Sequence, residues 1–380
     1  MQLSQTLLRT PVEINTLPVQ DAMAAAHLLL VFASPVFFKQ PDFVEKLREC
    51  YPQAHLLGCS TAGEITESGV EEASCTLTAL SFDQVGLRSA ATQLADMHDS
   101  LGAGERIGAQ LAGADLRAIL LFGPGVQING SALVRGVAAS VGDAVTIIGG
   151  LAGDDGAFQE TFTLGDEGSD PRSVVAIGLY GEQLALAHGS FGGWEPFGPA
   201  RRISRCEGNV LYELDHEPAL AIYKRYLGEH AEGLPATGLL FPFALLGEDH
   251  NEIGLIRTIL GIDEATGSLT LAGEVPDGGY LRLMHASTDR LVNGAETAAE
   301  AALSMAVVPS PRLAVLVSCV GRKLVMGSRV DDEVDAVVDV FGADTKVTGF
   351  YSYGEISPFA SGIECKLHNQ TMTISLIGEL

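Results

Sequence analysis

The chain has 380 residues, a formal charge of −25 and 47% hydrophobic residues. That is enough apolar material for large cores, in about two to three domains by length. So acidic a protein repels phosphate backbones and anionic lipid surfaces, which argues against non-specific nucleic-acid binding and membrane docking.

The first eighteen residues lack the apolar core and cleavage pattern of a secretion signal. The longest apolar run, Leu28 to Phe38, is interrupted by Ser34 and Pro35. It falls short of the roughly 18 residues that span a bilayer. Cys50, Cys59, Cys75, Cys206, Cys319 and Cys365 are scattered, with no CxxC pair. This usage predicts a reducing, cytoplasmic setting without disulfides, a zinc knuckle or covalent haem.

In chain order, a buried-strand run at 28–32 leads to a helical pattern at 41–50, where Phe43, Val44, Leu47 and Cys50 share a face. Next comes Gly58-Cys59-Ser60-Thr61-Ala62-Gly63-Glu64-Ile65, then a strand at 76–82. The pattern returns: strand 118–122, helix 131–141 with Ser131 as the expected N-cap, Gly149-Gly150-Leu151-Ala152-Gly153-Asp154-Asp155, strand 173–180. It returns again near the end: strand 313–317, helix 331–341 with three acids at its start, Gly349-Phe350-Tyr351-Ser352-Tyr353-Gly354-Glu355-Ile356, strand 372–377. A repeat this long and degenerate predicts duplicated α/β units with parallel strand pairs, not a solenoid.

Between the second and third copies the texture changes. Residues 184–215 are rich in Gly, Pro and aromatics, hold the lone Trp194, and then place Arg201, Arg202 and Arg205 close together. This segment is read as a bridge. After it come a helix at 218–227, strands near 253–260, 268–273 and 279–284, and an Ala-rich helix at 289–306. The expected fold is α/β, in two domains built from repeated strand–helix–strand units with mixed sheets. Their bounds are 1–183, the 184–215 bridge, and 216–380.

The motifs GCSTAGEI, GGLAGDD, CEGNVLYELDHEPALAIYKRYLGE, SCVGR, FYSYGEI and LHNQTMTI, in this order, resemble the FIST sensory proteins over nearly the whole chain. In that family a FIST N domain precedes a FIST C domain. The resemblance implies a bacterial intracellular signal-input module that binds a small ligand. The stretch HGSFGGWEPFGPARR looks like the subset that senses nitric oxide through haem beside histidine kinases or cyclic-dinucleotide enzymes. No transmitter segment accompanies it here, so the output is expected through such a separate partner. His285, in LMHAS, stands where the family is expected to have Arg.

His188 closes an apolar strand, and a neutral imidazole in an apolar slot is a good iron ligand. With non-covalent haem b on His188, Phe191, Trp194 and Phe197 would line the macrocycle, and Arg201, Arg202 or Arg205 would meet its propionates. The plainer alternative is a strand-capping histidine and a core tryptophan. His368 is the second candidate ligand.

The turns offer Ser60, Thr61, Glu64, Asp154, Asp155, Tyr351, Ser352, Tyr353 and Glu355 to an amino-acid-like ligand. The alternative is turn geometry alone. Two acids after Gly153 argue against a phosphate cradle. Ser60 in G-x-S-x-x-G and Cys319 before Arg322 are the enzyme-like features, but no base is placed beside either, so a non-enzyme is expected. A receptor needs a hollow where the duplicated sheets meet. If side chains fill that hollow, the receptor reading fails there and a passive docking platform is the better account.

Overall fold

A computed structural model of the chain describes residues 1–17, 25–305, 308–310, 312–358 and 364–380. Strands Leu28–Ala33, Leu116–Gly123 and Arg312–Cys319 are almost wholly buried along their length. That is why they read as continuous apolar runs: both faces are covered, as in central parallel strands. Each pairs in parallel with the strand after its crossover, His55–Ser60, Thr146–Leu151 and Thr345–Ser352. The crossovers carry helices Phe43–Cys50, Gly130–Val141 and Asp331–Phe341. The expected Ser131 cap is replaced by Asn129, whose side chain accepts from the Ala132 N–H. An Asn two residues earlier reaches the orphan N–H of the first turn, whereas Ser131 already lies inside the helix.

The three units exchange strands in a ring. After each Gly-rich turn the chain does not return to its own sheet but adds to a neighbour. Glu64–Thr66 of the first unit pairs with Thr345–Ser352 of the third. Thr163–Gly165 of the second pairs with His55–Ser60 of the first. Gly354–Pro358 of the third pairs with Thr146–Leu151 of the second. Three six-stranded mixed sheets result, each completed by another unit.

One glycine per unit permits this closeness. A Cβ on Gly58, Gly149 or Gly349 would collide with the carbonyl of Val31, Leu121 or Leu316 on the parallel neighbour. Where the sheets face one another, the rings of Phe32, Phe122 and Phe350 pack at 4.7–5.7 Å between centroids. Leu30, Leu57, Leu120, Val315 and Val317 belong to the same buried cluster. The hollow expected where the duplicated sheets meet is thus filled with side chains.

A second body interrupts the third unit. Strand Leu184–Phe191 pairs with Met372–Glu379 in the ring, and helix Thr288–Met305 packs on it. Between them a nine-stranded sheet, antiparallel in every described pairing, is inserted, with helix Ala219–Leu227 buried in its own core. The α/β fold with mixed sheets in two domain-like bodies is as expected, but the chain is divided differently. Residues 184–191 are a ring strand, whereas 201–214 hold two strands of the insertion. The N-terminal and C-terminal units share sheets because their hairpins cross over, which local periodicity does not encode.

Candidate functional site

The three Gly-rich turns do come together. Gly153 N–H donates to Ser60 O, Ala62 N–H to Tyr351 O, and Tyr353 N–H to Leu151 O, so each turn bonds to the other two. Their polar side chains face inward and find protein partners. Glu64 accepts from Thr61 Oγ1, and from Ser74 N–H and Oγ at 3.1 and 2.7 Å. Glu355 repeats this with Ser352 Oγ at 2.8 Å and Thr371 N–H and Oγ1 at 3.1 and 2.9 Å. Burial raises both carboxyls, Glu64 to about 7 and Glu355 to about 8, against the hydroxyls and amides that favour the anion.

Asp154 gathers the loop after it, accepting from the N–H groups of Phe158, Gln159 and Glu160 and from Tyr353 Oη. Ser60 Oγ donates to Gly153 O at 2.7 Å and accepts from Phe162 N–H. Tyr351 Oη donates to Glu333 at 2.5 Å. Eight of the nine turn residues expected around a ligand lie buried where the turns meet; the ninth, Asp155, is exposed.

The residues expected around a haem are divided between the bodies. His188 sits in the ring strand, and burial lowers its affinity for a proton. Its Nδ1 is buried with no hydrogen-bond partner among the described residues. Trp194 lies on the seam between the bodies, its Nε1 donating to Gln370 O at 2.7 Å. Phe197 is on the insertion against His285. Arg201 holds Asp215 at 3.0 Å and Tyr226 at 2.6 Å, and Arg205 holds Glu213 at 3.0 Å. Arg202 is exposed. These six do not converge on one apolar slot, so as a set they do not fit a haem.

Open space lies along the seam instead. One recess of about 490 Å³ is lined by Trp194, Ala244, Ile253, Leu255, His368 and Thr371. A second of about 630 Å³ opens on the other side of strand Glu252–Arg257, between it and helix Gly130–Val141, and shares Ile253 and Leu255 with the first. A third, about 730 Å³ and more apolar, lies between Phe158, the 233–240 segment and Leu324.

His368, the second candidate ligand, contacts the first recess. Burial presses it down to about 4, and nearby Arg257, Lys366 and His188 push the same way, although Ser357 O opposes them.

Two groups on this seam escape sequence reasoning. Arg322 and Glu333 are both fully buried and paired at 2.7 Å. Arg322 also donates to Gly192 O and Leu291 O, one at each crossing between ring and insertion. Arg257, 5% exposed, is the other. The signal for it was present, a lone Arg in the apolar run Leu255-Ile256-Arg257-Thr258-Ile259.

The class defined so far is an α/β ring of three strand-exchanging units carrying an inserted antiparallel sheet, with its recesses on the seam between them. The FIST N domain model matches residues 27–217 and the FIST C domain model residues 219–358. The chain belongs to the FIST family, which places it among small-ligand-binding signal-input sensors.

A protein of Methanocaldococcus jannaschii described only as uncharacterized protein MJ1623 is 36% identical over 90 residues. That match covers 23% of this chain and 17% of the relative, so the chain spans a small part of that protein's length. A solved cyanuric acid hydrolase from A. caulinodans aligns over 99% of this chain and 98% of its own. Its TM-score is 0.35 at 11% identity, too low to transfer fold or activity. No described helix is long and apolar enough to cross a membrane.

Proposed function

We propose that this protein senses a small ligand held on the seam between the ring and the inserted sheet, and that occupancy changes how the two bodies pack. The observation that carries this is the pair of recesses flanking strand Glu252–Arg257. Ligand sites favour such boundaries between bodies, and here the centre of the ring is closed by phenylalanines. The Gly-rich turns then act as the fixed framework that carries the ring side of the seam.

Binding without turnover is part of this reading. It is supported by the engagement of Ser60 Oγ within the protein and by burial, which holds the Cys319 thiol well above its ordinary range. The passive-platform alternative predicts no ligand response at all. In a thermal-shift screen of amino acids, small carboxylic acids and haemin, at least one compound raises Tm in the wild type. Leu255→Trp, which enlarges a side chain lining both recesses, weakens or removes that rise. A screen with no stabiliser sinks the proposal.

A second reading keeps haem b on His188, nitric oxide at the iron, and output to a histidine kinase or cyclic-dinucleotide enzyme in the cytoplasm. The observation on its side is the buried, unpartnered Nδ1 of His188. Against it stands the dispersal of the other five residues. Adding haemin to the purified protein tests it. A Soret band that His188→Ala abolishes supports this reading, and an unchanged free-haemin spectrum removes it.

A further inference from the structure

A buried cation without a counter-charge is rare in proteins, because desolvation of a guanidinium is expensive unless a partner restores the lost interactions. Arg257 is such a group. Its Nε donates to Glu274 O and its Nη1 to Ile256 O, each at 3.0 Å. Nη2 has no hydrogen bond and the guanidinium no carboxylate within ion-pair distance among the described residues. The nearest acid, Glu274, is already engaged by Arg135 at 2.7 Å and Asn129 at 2.9 Å.

The seat of this arginine is built for it. A Cβ on Gly273 would stand 2.8 Å from Arg257 Nε and 3.0 Å from Cζ, so only glycine leaves room for the guanidinium there.

Arg257 lines the 630 Å³ recess. So does Ser131, whose Oγ is buried with no partner among the described residues. Ser131 lies in the first turn of the twelve-residue helix Gly130–Val141, whose N-terminal N–H groups favour an anion. Two independent donors, Arg257 Nη2 and Ser131 Oγ, each without a partner among the described residues, thus share one cavity.

The remaining walls select among anions. Val134, Ala138, Leu245, Leu255, Val275 and Leu367 are apolar. Arg135 and Lys366 line it too, paired with Glu274 at 2.7 Å and Glu364 at 3.1 Å, which leaves Asp143 to disfavour a multiply charged group.

We propose that this recess binds a small monocarboxylic acid with an apolar body, its carboxylate on Arg257 and Ser131 and its body along the helix and strand walls. This rests on the seam being the ligand site. The ligand supplies the counter-charge that Arg257 lacks, and it bridges the ring, through Ser131, to the insertion, through Arg257. That bridge is how occupancy fixes the packing of the two bodies.

Thermal-shift and calorimetric titrations with octanoate, 3-phenylpropionate, octan-1-ol and inorganic phosphate test the inference. Octanoate and phenylpropionate raise Tm, whereas octanol and phosphate do not. Arg257→Met weakens carboxylate binding about 10-fold or more, as expected for a charge-assisted hydrogen bond. Ser131→Ala, an exchange at a helix position that leaves the fold intact, weakens it by a smaller factor. Octanol matching octanoate, phosphate reproducing the shift, or Arg257→Met keeping full carboxylate affinity overturns the inference. A different stabiliser that Leu255→Trp blocks, with no carboxylate response, overturns it while the sensor reading stands. No stabiliser of any kind removes both.

Discussion

Arg322 and Glu333, both without solvent exposure, form an ion pair at 2.7 Å that also fastens the insertion to the ring. Glu333 accepts from Ser318 Oγ and Tyr351 Oη on the ring strands, at 2.9 and 2.5 Å. Arg322 passes the restraint on to the carbonyls of Gly192 and Leu291, where the chain leaves and re-enters the ring. Removing one partner strands a buried charge, so Glu333→Gln and Arg322→Met are each expected to lose about 3–5 kcal/mol. The double variant Arg322→Met/Glu333→Gln loses much less than the sum, because the two residues act as one unit. Urea unfolding of the three variants measures this. Additive losses would show that the pair is not coupled.

Glu64 and Glu355 hold their protons in the folded protein to about pH 7 and about pH 8, but release them near pH 4.5 once unfolded. The native state therefore binds more protons than the unfolded state between those limits. Their contribution to stability is complete below about pH 4.5 and declines as pH rises through 7 and 8. Urea midpoints measured from pH 5 to pH 8.5 fall with pH. The Glu64→Gln/Glu355→Gln variant, neutral at every pH, flattens that slope. An equal slope in both proteins would contradict the assignment.

Gly58, Gly149 and Gly349 allow three parallel strand pairs to close on one another. Alanine at any one of them meets a backbone carbonyl that has no freedom to move aside. Each substitution is expected to lose about 1–3 kcal/mol or more. Gly261→Ala is the control, since its Cβ meets Thr270 at an ordinary 3.7 Å, and stability should stay within about 0.5 kcal/mol. Denaturation midpoints separate the two classes.

Trp194 reports on the seam. It is 8% exposed, packs with Ile256, Met284, Leu291 and Met326 from both bodies, and lines the 490 Å³ recess. Its emission is expected to be blue-shifted in the free protein, and to change when a ligand occupies the seam. Trp194→Phe leaves Gln370 O without that donor and loses roughly 1–3 kcal/mol. A fluorescence titration with any stabilising compound checks the first expectation. An unchanged spectrum at saturation would place that compound elsewhere.

Much of the fold was legible in residue order because its elements are locally consistent. The runs at 28–32, 118–122 and 313–317 are buried strands, and helix 331–341 lies where its spacing put it. The Gly-acid turns were visible as repeats, and they do meet. Helix Ser100–Leu111 went unread because its small residues give little apolar rhythm; Gly104 and Gly136 instead let it pack backbone to backbone on helix Gly130–Val141.

Periodicity and turn chemistry, which act within a few residues of one another, determined from the sequence alone that this is an α/β protein of three related units. Only tertiary structure decided that their hairpins are exchanged around a ring, since pairing Glu64 with Phe350 depends on contacts nearly three hundred residues apart. Tertiary structure also filled the centre and moved the open space to the seam. It left Arg257 buried with no carboxylate in ion-pair distance among the described residues, because burial and partnership are properties of the packed chain and not of any residue's neighbours in sequence.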